Sequence, residues 1–329
     1  MAMPKETALI LAGAVAKGAF EAGALQVLAT RAEELNISRI VGASSGALNA
    51  AIFATGIRMR APARAANQLV QLWEDAATWH NALDLDLRDI LSLQGLGSAD
   101  RVLPLMRKAV ANLSSSDPRP IDLQLVLTAL NGDRGDIGGA PATTYEHVAR
   151  FSDQDFDSDA RREEIFTTAL ASGAFPVVFA PVELPGIGPC VDGGSVNNTP
   201  LKLAIVGSNV ERIIVVTPEP ILAAPPTDLT GTNLLTHFAD ILINERLYRD
   251  LHDAESVNDY LRKLEGLELA PDALERVKSV FGWRPLEILQ VRPEQALNGG
   301  SFSAFSDASL RAEYIQAGNA AASRVLGNA

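Results

Sequence analysis

The sequence predicts an α/β fold: a mainly parallel central sheet flanked by helices on both faces, with helical insertions. Strand-like apolar runs alternate with helical patterns along the chain, an order that places parallel strands between two helical layers. A junction of strand, glycine-bearing turn and helix occurs twice near the start, after Leu11 and around Ser44. No linker is long enough to force a second domain, so residues 1–329 are read as a single domain.

Residues 7–13 read as the first strand, followed by a turn and a helix over about 18–35 with apolar positions at Phe20, Leu25, Val27 and Leu28. Ile40-Val41 is a short apolar run before Ser44, and Ala47-Leu48-Asn49-Ala50-Ala51-Ile52 opens the next helix. Helical patterns follow near residues 62–79 and 99–113, and Ser114-Ser115-Ser116-Asp117-Pro118 marks a loop. Strand-like runs then occupy 122–130 and 143–148, before a helix around 162–171 and a Pro- and Gly-rich passage. Val191 ends a strand ahead of Asp192, and Arg212–Val216 is a further strand. A helix-rich region over 229–281, a strand near 286–291 and a helix from Ser306 onward complete the expectation.

Composition narrows the class of partner. With 47% hydrophobic and 21% charged residues, the chain has the makings of a globular protein with a substantial core. Its 28 basic against 40 acidic side chains give a formal charge of -12, which opposes binding to nucleic acid or strongly anionic membrane. Cys190 is the single cysteine, so no internal disulfide forms, and no cofactor fingerprint or metal-ligand cluster is legible. Lys5, the apolar residues 8–12 and Ala14-Val15-Ala16 imitate a short signal peptide, but Glu6 offsets Lys5 and the same residues suit a first strand. No stretch reaches the ~18 apolar residues of a spanning helix. The expectation is a cytoplasmic protein whose membrane contact is peripheral; the oligomeric state stays open.

Three segments carry chemistry. Gly42-Ala43-Ser44-Ser45-Gly46 is a G-x-S-x-G sequence between a strand and a helix, the setting that exposes a nucleophilic serine. Gly42 and Gly46 matter because a side chain on either would crowd so sharp a turn. Gly13-Ala14-Val15-Ala16-Lys17-Gly18 joins a strand to a helix N-terminus, where free N–H donors favour an anion. It does not fit a phosphate-binding loop, since Lys17 precedes Gly18 and no Ser or Thr follows. Asp192 stands at the carboxyl end of a strand and before Gly193-Gly194, where open α/β sheets place reactive groups; the competing reading is a turn aspartate.

In this order the three segments resemble the patatin-like phospholipases, lipid acyl hydrolases with a Ser-Asp dyad. Ala171-Ser172-Gly173-Ala174-Phe175-Pro176 is similar to the family's Ala-Ser-x-Ala-x-Pro block, and Asn197-Asn198-Thr199-Pro200 follows the aspartate in the familiar place. The resemblance implies a patatin-like fold, Ser44 as nucleophile, Asp192 as proton acceptor, Gly193 and Gly194 as support for Asp192, and an acyl-enzyme on the path of ester hydrolysis. It also implies that the N–H groups of Gly13, Ala14, Val15, Ala16 and Lys17 form the oxyanion hole, and that no cofactor is needed. The substrate would be a lipid or ester, met at a membrane surface or free of one. One departure stands out: the family's three consecutive glycines are Gly13-Ala14-Val15 here, and a positive φ at Ala14 or Val15 would be strained.

Two rival readings remain at this level. The order Ser44, Asp192, then His237 or His252 suits a Ser-His-Asp esterase, although both histidines fall in helical patterns. A catalytically weak binding or regulatory relative is the other, which the Ala14-Val15 departure allows and the retained Ser44 and Asp192 oppose. Lys17 either touches substrate, braces its loop or is solvated. The leucine-rich residues 83–93 read as core or as a lid, and Trp73, Trp79 and Trp283 are too scattered for an interfacial belt.

Overall fold

Along the central strands, neighbouring residues bury into opposite layers. Leu9 and Leu11 pack into one core and Ala8 and Ile10 into another, and Ile214 and Val216 are likewise divided from Ile213 and Val215. A strand buried on both faces needs a helical layer on each side. The computed structural model describes residues 5–78, 102–137, 140–176, 178–221, 230–267 and 271–327.

The strands are β1 (Thr7–Leu11), β2 (Ile37–Ala43), β3 (Asp122–Ile137), β4 (Ala140–Phe151), β5 (Val182–Leu184), β6 (Gly188–Val191), β7 (Arg212–Val216) and β8 (Glu287–Val291). They form one sheet in the order β5-β6-β3-β2-β1-β7-β8, with β4 on the other edge of β3. β3, β2, β1, β7 and β8 run parallel; β4 and β6 pair antiparallel with β3, and β5 antiparallel with β6. The sheet is thus mixed with a parallel centre, the α/β class expected.

The helices are α1 (Gly18–Thr30), α2 (Ala32–Leu35), α3 (Ser45–Arg58), α4 (Pro62–Gln71), α5 (Val102–Val110), α6 (Asp159–Ser172), α7 (Gly194–Asn197), α8 (Leu201–Ile205), α9 (Gly231–Glu265), α10 (Pro271–Phe281) and α11 (Ala308–Gly327). One core joins the sheet to α1, α3, α4 and α11; the other joins it to α8 and α9 through Leu201, Ala204, Leu247 and Leu251. The helix expected over 18–35 is interrupted at Arg31, and Asn36 ends α2 in the left-handed region at φ 49. A π-turn, Leu72–Ala76, continues α4.

β3 brings the reactive segments together. Its first half pairs with β2 up to Ala43↔Val126, and its continuation pairs with β6 at Thr128↔Val191. β4 covers Leu123 through Thr128 on the opposite edge, so β2 and β6 share one edge of β3, end to end. The chain leaves β2 at Ser44 and leaves β6 at Asp192, on either side of Leu127. A contact between residues 148 positions apart in sequence follows from the register of a single long strand.

Candidate active site

The turn after β2 holds Ser44 at φ 54 and ψ -131, a region that L-residues rarely occupy outside functional turns. Space around it is tight. A Cβ on Gly46 would lie 2.3 Å from the carbonyl oxygen of Leu11, and one on Gly42 would lie 2.8 Å from the Cα of Ala47. Glycine at both positions lets α3 start directly against β1 and lifts Ser44 over the carboxyl edge of the sheet.

There the Ser44 hydroxyl donates to Asp192 Oδ2 at 2.5 Å, and both residues are buried. The second carboxylate oxygen, Oδ1, accepts from the Gly194 N–H at 2.7 Å, and the Asp192 carbonyl accepts from Thr128 Oγ1 at 2.7 Å. Gly193 lies so close to β3 that a Cβ would sit 2.0 Å from the Val126 carbonyl oxygen. Burial pushes the Asp192 carboxyl up to about 7, against the opposing pull of the hydrogen bonds from Ser44 and Gly194. A carboxylate poised there can exchange a proton with a hydroxyl at neutral pH.

Hydrogen bonds tie the three segments into a closed triangle. Ser172, at the end of α6, accepts the Ser44 N–H at 2.9 Å through Oγ, and its carbonyl accepts the Gly193 N–H at 3.0 Å. Ser45 Oγ accepts the Ala14 N–H at 3.0 Å, joining the serine turn to the Gly13 loop. Asn198 closes the third side: its carbonyl accepts the Gly13 N–H at 3.1 Å and its Nδ2 donates to the Gly13 carbonyl at 3.0 Å. Removing the Ser172 hydroxyl takes a hydrogen-bond partner from both the Ser44 N–H and the Val126 carbonyl. Ser172→Ala is therefore expected to cost about 1–3 kcal/mol of stability in chemical denaturation.

Hydrogen bonds engage most of the N–H groups of the Gly13 loop. The N–H groups of Gly13, Ala14, Ala16 and Lys17 are occupied by Asn198, Ser45 Oγ, Ser301 and Ala14 respectively. Val15 alone of the five donates no hydrogen bond among the described residues. It also takes the positive φ that the sequence made a concern, at 51.

The sequence model of the patatin-like phospholipase family matches residues 9–205, more than half of the chain and the whole of the Ser44–Asp192 site. The chain belongs to the patatin-like phospholipases. No curated protein matches it. Among solved structures it is similar to VipD from Legionella pneumophila, at 14% identity and a TM-score of 0.46, covering 99% of this chain and 67% of VipD. It is also similar to the type III effector protein ExoU, at 14% identity and a TM-score of 0.29, covering 98% of this chain and 53% of ExoU.

In this patatin-like phospholipase two cavities of different character meet at Ser44. One is apolar, bounded by Leu48, Ile52, Leu69, Trp73 and Met106 from α3, α4, the π-turn and α5. The other is the more polar of the two, its mixed lining including Lys17, Asp192, Asn198, Glu219 and Ser301. The Trp73 wall is fixed from behind: its Nε1 donates to Asn49 Oδ1 at 2.9 Å, and Asn49 Nδ2 donates to Glu21 Oε2 at 2.8 Å. Burial holds the Glu21 carboxyl well above its ordinary range, against the opposing pull of the hydrogen bond from Asn49.

Neither Ser44 nor Asp192 bonds to a histidine among the described residues. His147 pairs with Asp133 at 2.5 Å on the β3–β4 hairpin, while His237 and an exposed His252 belong to α9. His80, Trp79 and the leucine-rich residues 83–93 lie outside the described residues. Among the described residues no helix is long and apolar enough to cross a membrane, and no cluster of three or more His, Cys, Asp or Glu could hold a metal ion.

Proposed function

We propose that this member of a lipid acyl hydrolase family cleaves carboxylic esters through a Ser44–Asp192 dyad. The observation that carries the reading is the 2.5 Å Ser44–Asp192 hydrogen bond, made at the junction of an apolar and a more polar cavity. The acyl chain enters the apolar cavity and the leaving alcohol occupies the more polar one. Ionised Asp192 takes the Ser44 proton as Oγ attacks the ester carbonyl, and the tetrahedral oxyanion is met by N–H donors. Val15 and Ser45 are the proposed donors. The Val15 N–H donates no hydrogen bond among the described residues, and Ser45 opens α3, where a helix offers its first N–H groups no internal acceptor.

Protonated Asp192 then gives its proton to the departing alcohol, leaving an acyl-enzyme on Ser44. Water attacks that ester, Asp192 accepts its proton, and collapse releases the fatty acid and returns the proton to Ser44. No histidine takes part.

Hydrolysis of p-nitrophenyl esters of graded chain length by purified protein tests the reading. Turnover is expected, with a preference for chains that fill the apolar cavity, and it should survive replacement of His237 and His252 together. Loss of turnover in that double variant would favour a Ser-His-Asp triad; a folded protein inactive across the series would favour a binding role.

The dyad also sets a pH dependence. Because the base form of Asp192 is required and its carboxyl is pushed up to about 7, kcat/KM should fall tenfold per pH unit on the acid side, with its midpoint near that value. A profile flat between pH 5 and 8 would remove Asp192 from the base role.

A further inference from the structure

The two cavities share three lining residues: Ser44, Phe175 and Val15. Val15 and Phe175 thus form the neck across which the ester must lie, with the carbonyl at Ser44, the chain on one side and the alcohol on the other. Val15 reaches this place in a left-handed backbone conformation, at φ 51. A β-branched residue is poorly suited to that region, and such strain persists only where neighbouring structure imposes it.

Here the imposition is visible. The preceding N–H, from Ala14, is held by Ser45 Oγ at 3.0 Å, and the following one, from Ala16, is held by the Ser301 carbonyl at 3.1 Å. The loop is pinned on both sides of Val15, so the residue cannot relax without breaking the bond that ties the loop to the serine turn. Its stiff isopropyl group is therefore a fixed part of the neck.

We propose that Val15 is a specificity-determining residue that restricts the acyl side of the substrate to chains unbranched at the carbon next to the carbonyl. This rests on the ester-hydrolase reading above. That carbon is the first acyl atom past Ser44, and a methyl group on it competes with the Val15 methyls for the neck. Substrates with a straight acyl chain pass; 2-methyl esters are turned away.

The test compares p-nitrophenyl octanoate with p-nitrophenyl 2-methyloctanoate, each kcat/KM being normalised to hydroxide-catalysed hydrolysis of the same ester. Wild type should favour the straight chain by about a hundredfold, within the range that one misplaced methyl commands in a fitted pocket. Val15→Gly should lower that ratio by about tenfold or more, and Val15→Ala, which keeps Cβ but loses both methyls, should lower it in the same direction. A uniform effect on the oxyanion hole cancels in the ratio, so only a change in discrimination registers. Wild-type turnover with the same ratio in both folded variants would overturn the gate alone. Absence of turnover of either ester by wild type would overturn the hydrolase reading and the gate with it.

Discussion

Asp192→Asn is expected to lower kcat/KM by about 10³–10⁴-fold while making the folded protein more stable at alkaline pH. Activity falls because an amide cannot accept the Ser44 proton. The hydrogen-bonding pattern survives, since Asn Oδ1 can still accept from the Gly194 N–H and Nδ2 can donate to Ser44 Oγ. Stability rises because the substitution removes a charge from a buried site. The gap between an ordinary aspartate value of 3.8 and about 7 corresponds to roughly 4 kcal/mol borne by the folded state when Asp192 is ionised. The sign follows from proton binding: between those two values the folded state holds a proton that the unfolded state has lost, so stability drops as pH rises through the interval. Thermal unfolding of wild type and variant should therefore coincide near pH 4, separate between pH 4 and 7, and differ by a constant amount above that. A variant no more stable than wild type at pH 8 would mean that Asp192 is not a strained buried carboxylate.

Ser44→Ala is expected to remove about five to six orders of magnitude from kcat, because among the described residues no other hydroxyl bonds to Asp192 Oδ2. It should do so without a large change in stability. Alanine retains the positive φ and its strain, and what is lost is one hydrogen bond, worth about 1 kcal/mol net, whose removal pushes the Asp192 carboxyl further up. Ser44→Gly should be equally inactive yet gain back part of the backbone strain, about 1 kcal/mol, against the greater flexibility of glycine in the unfolded chain. Denaturant titrations of the two variants separate the roles of the hydroxyl and of the turn.

What the sequence made legible was local. Gly42, Ser44 and Gly46 announce a sharp turn because a side chain at either glycine has nowhere to go, and Asp192 before two glycines announces a carboxylate at a strand end. β1 and β7 were readable as well, because a strand buried on both faces shows as an unbroken apolar run. The loop strain at Val15 was open as a question, because the family's glycine at that place suggested a backbone need, but which residue bore it depended on how Ser45 and Ser301 hold the loop.

What escaped was non-local. Ser172 stood in a motif with no reason attached; its reason is that α6 ends between the serine turn and the Val126 carbonyl. The apolar cavity draws Leu48, Leu69 and Met106 from three helices, each of which reads as ordinary amphipathic packing. Asn49 sits in an apolar helical run, and only the fold sets it between Glu21 and Trp73. β3 and β4 extend well beyond the runs read at 122–130 and 143–148, because their outer halves pair with each other over polar residues such as Asp133 and Thr144. β5 went unread within its Pro- and Gly-rich passage, since three residues are too few to show a period.

The measurement that tests the account most directly is mass-resolved labelling of the native protein with a fluorophosphonate probe at neutral pH. One adduct per chain is expected, on the peptide carrying Ser44, forming in the wild type and in the His237/His252 double variant but not in Asp192→Asn. An adduct on another residue, or a folded wild type that takes up no probe, would contradict an activated serine at the junction of the two cavities.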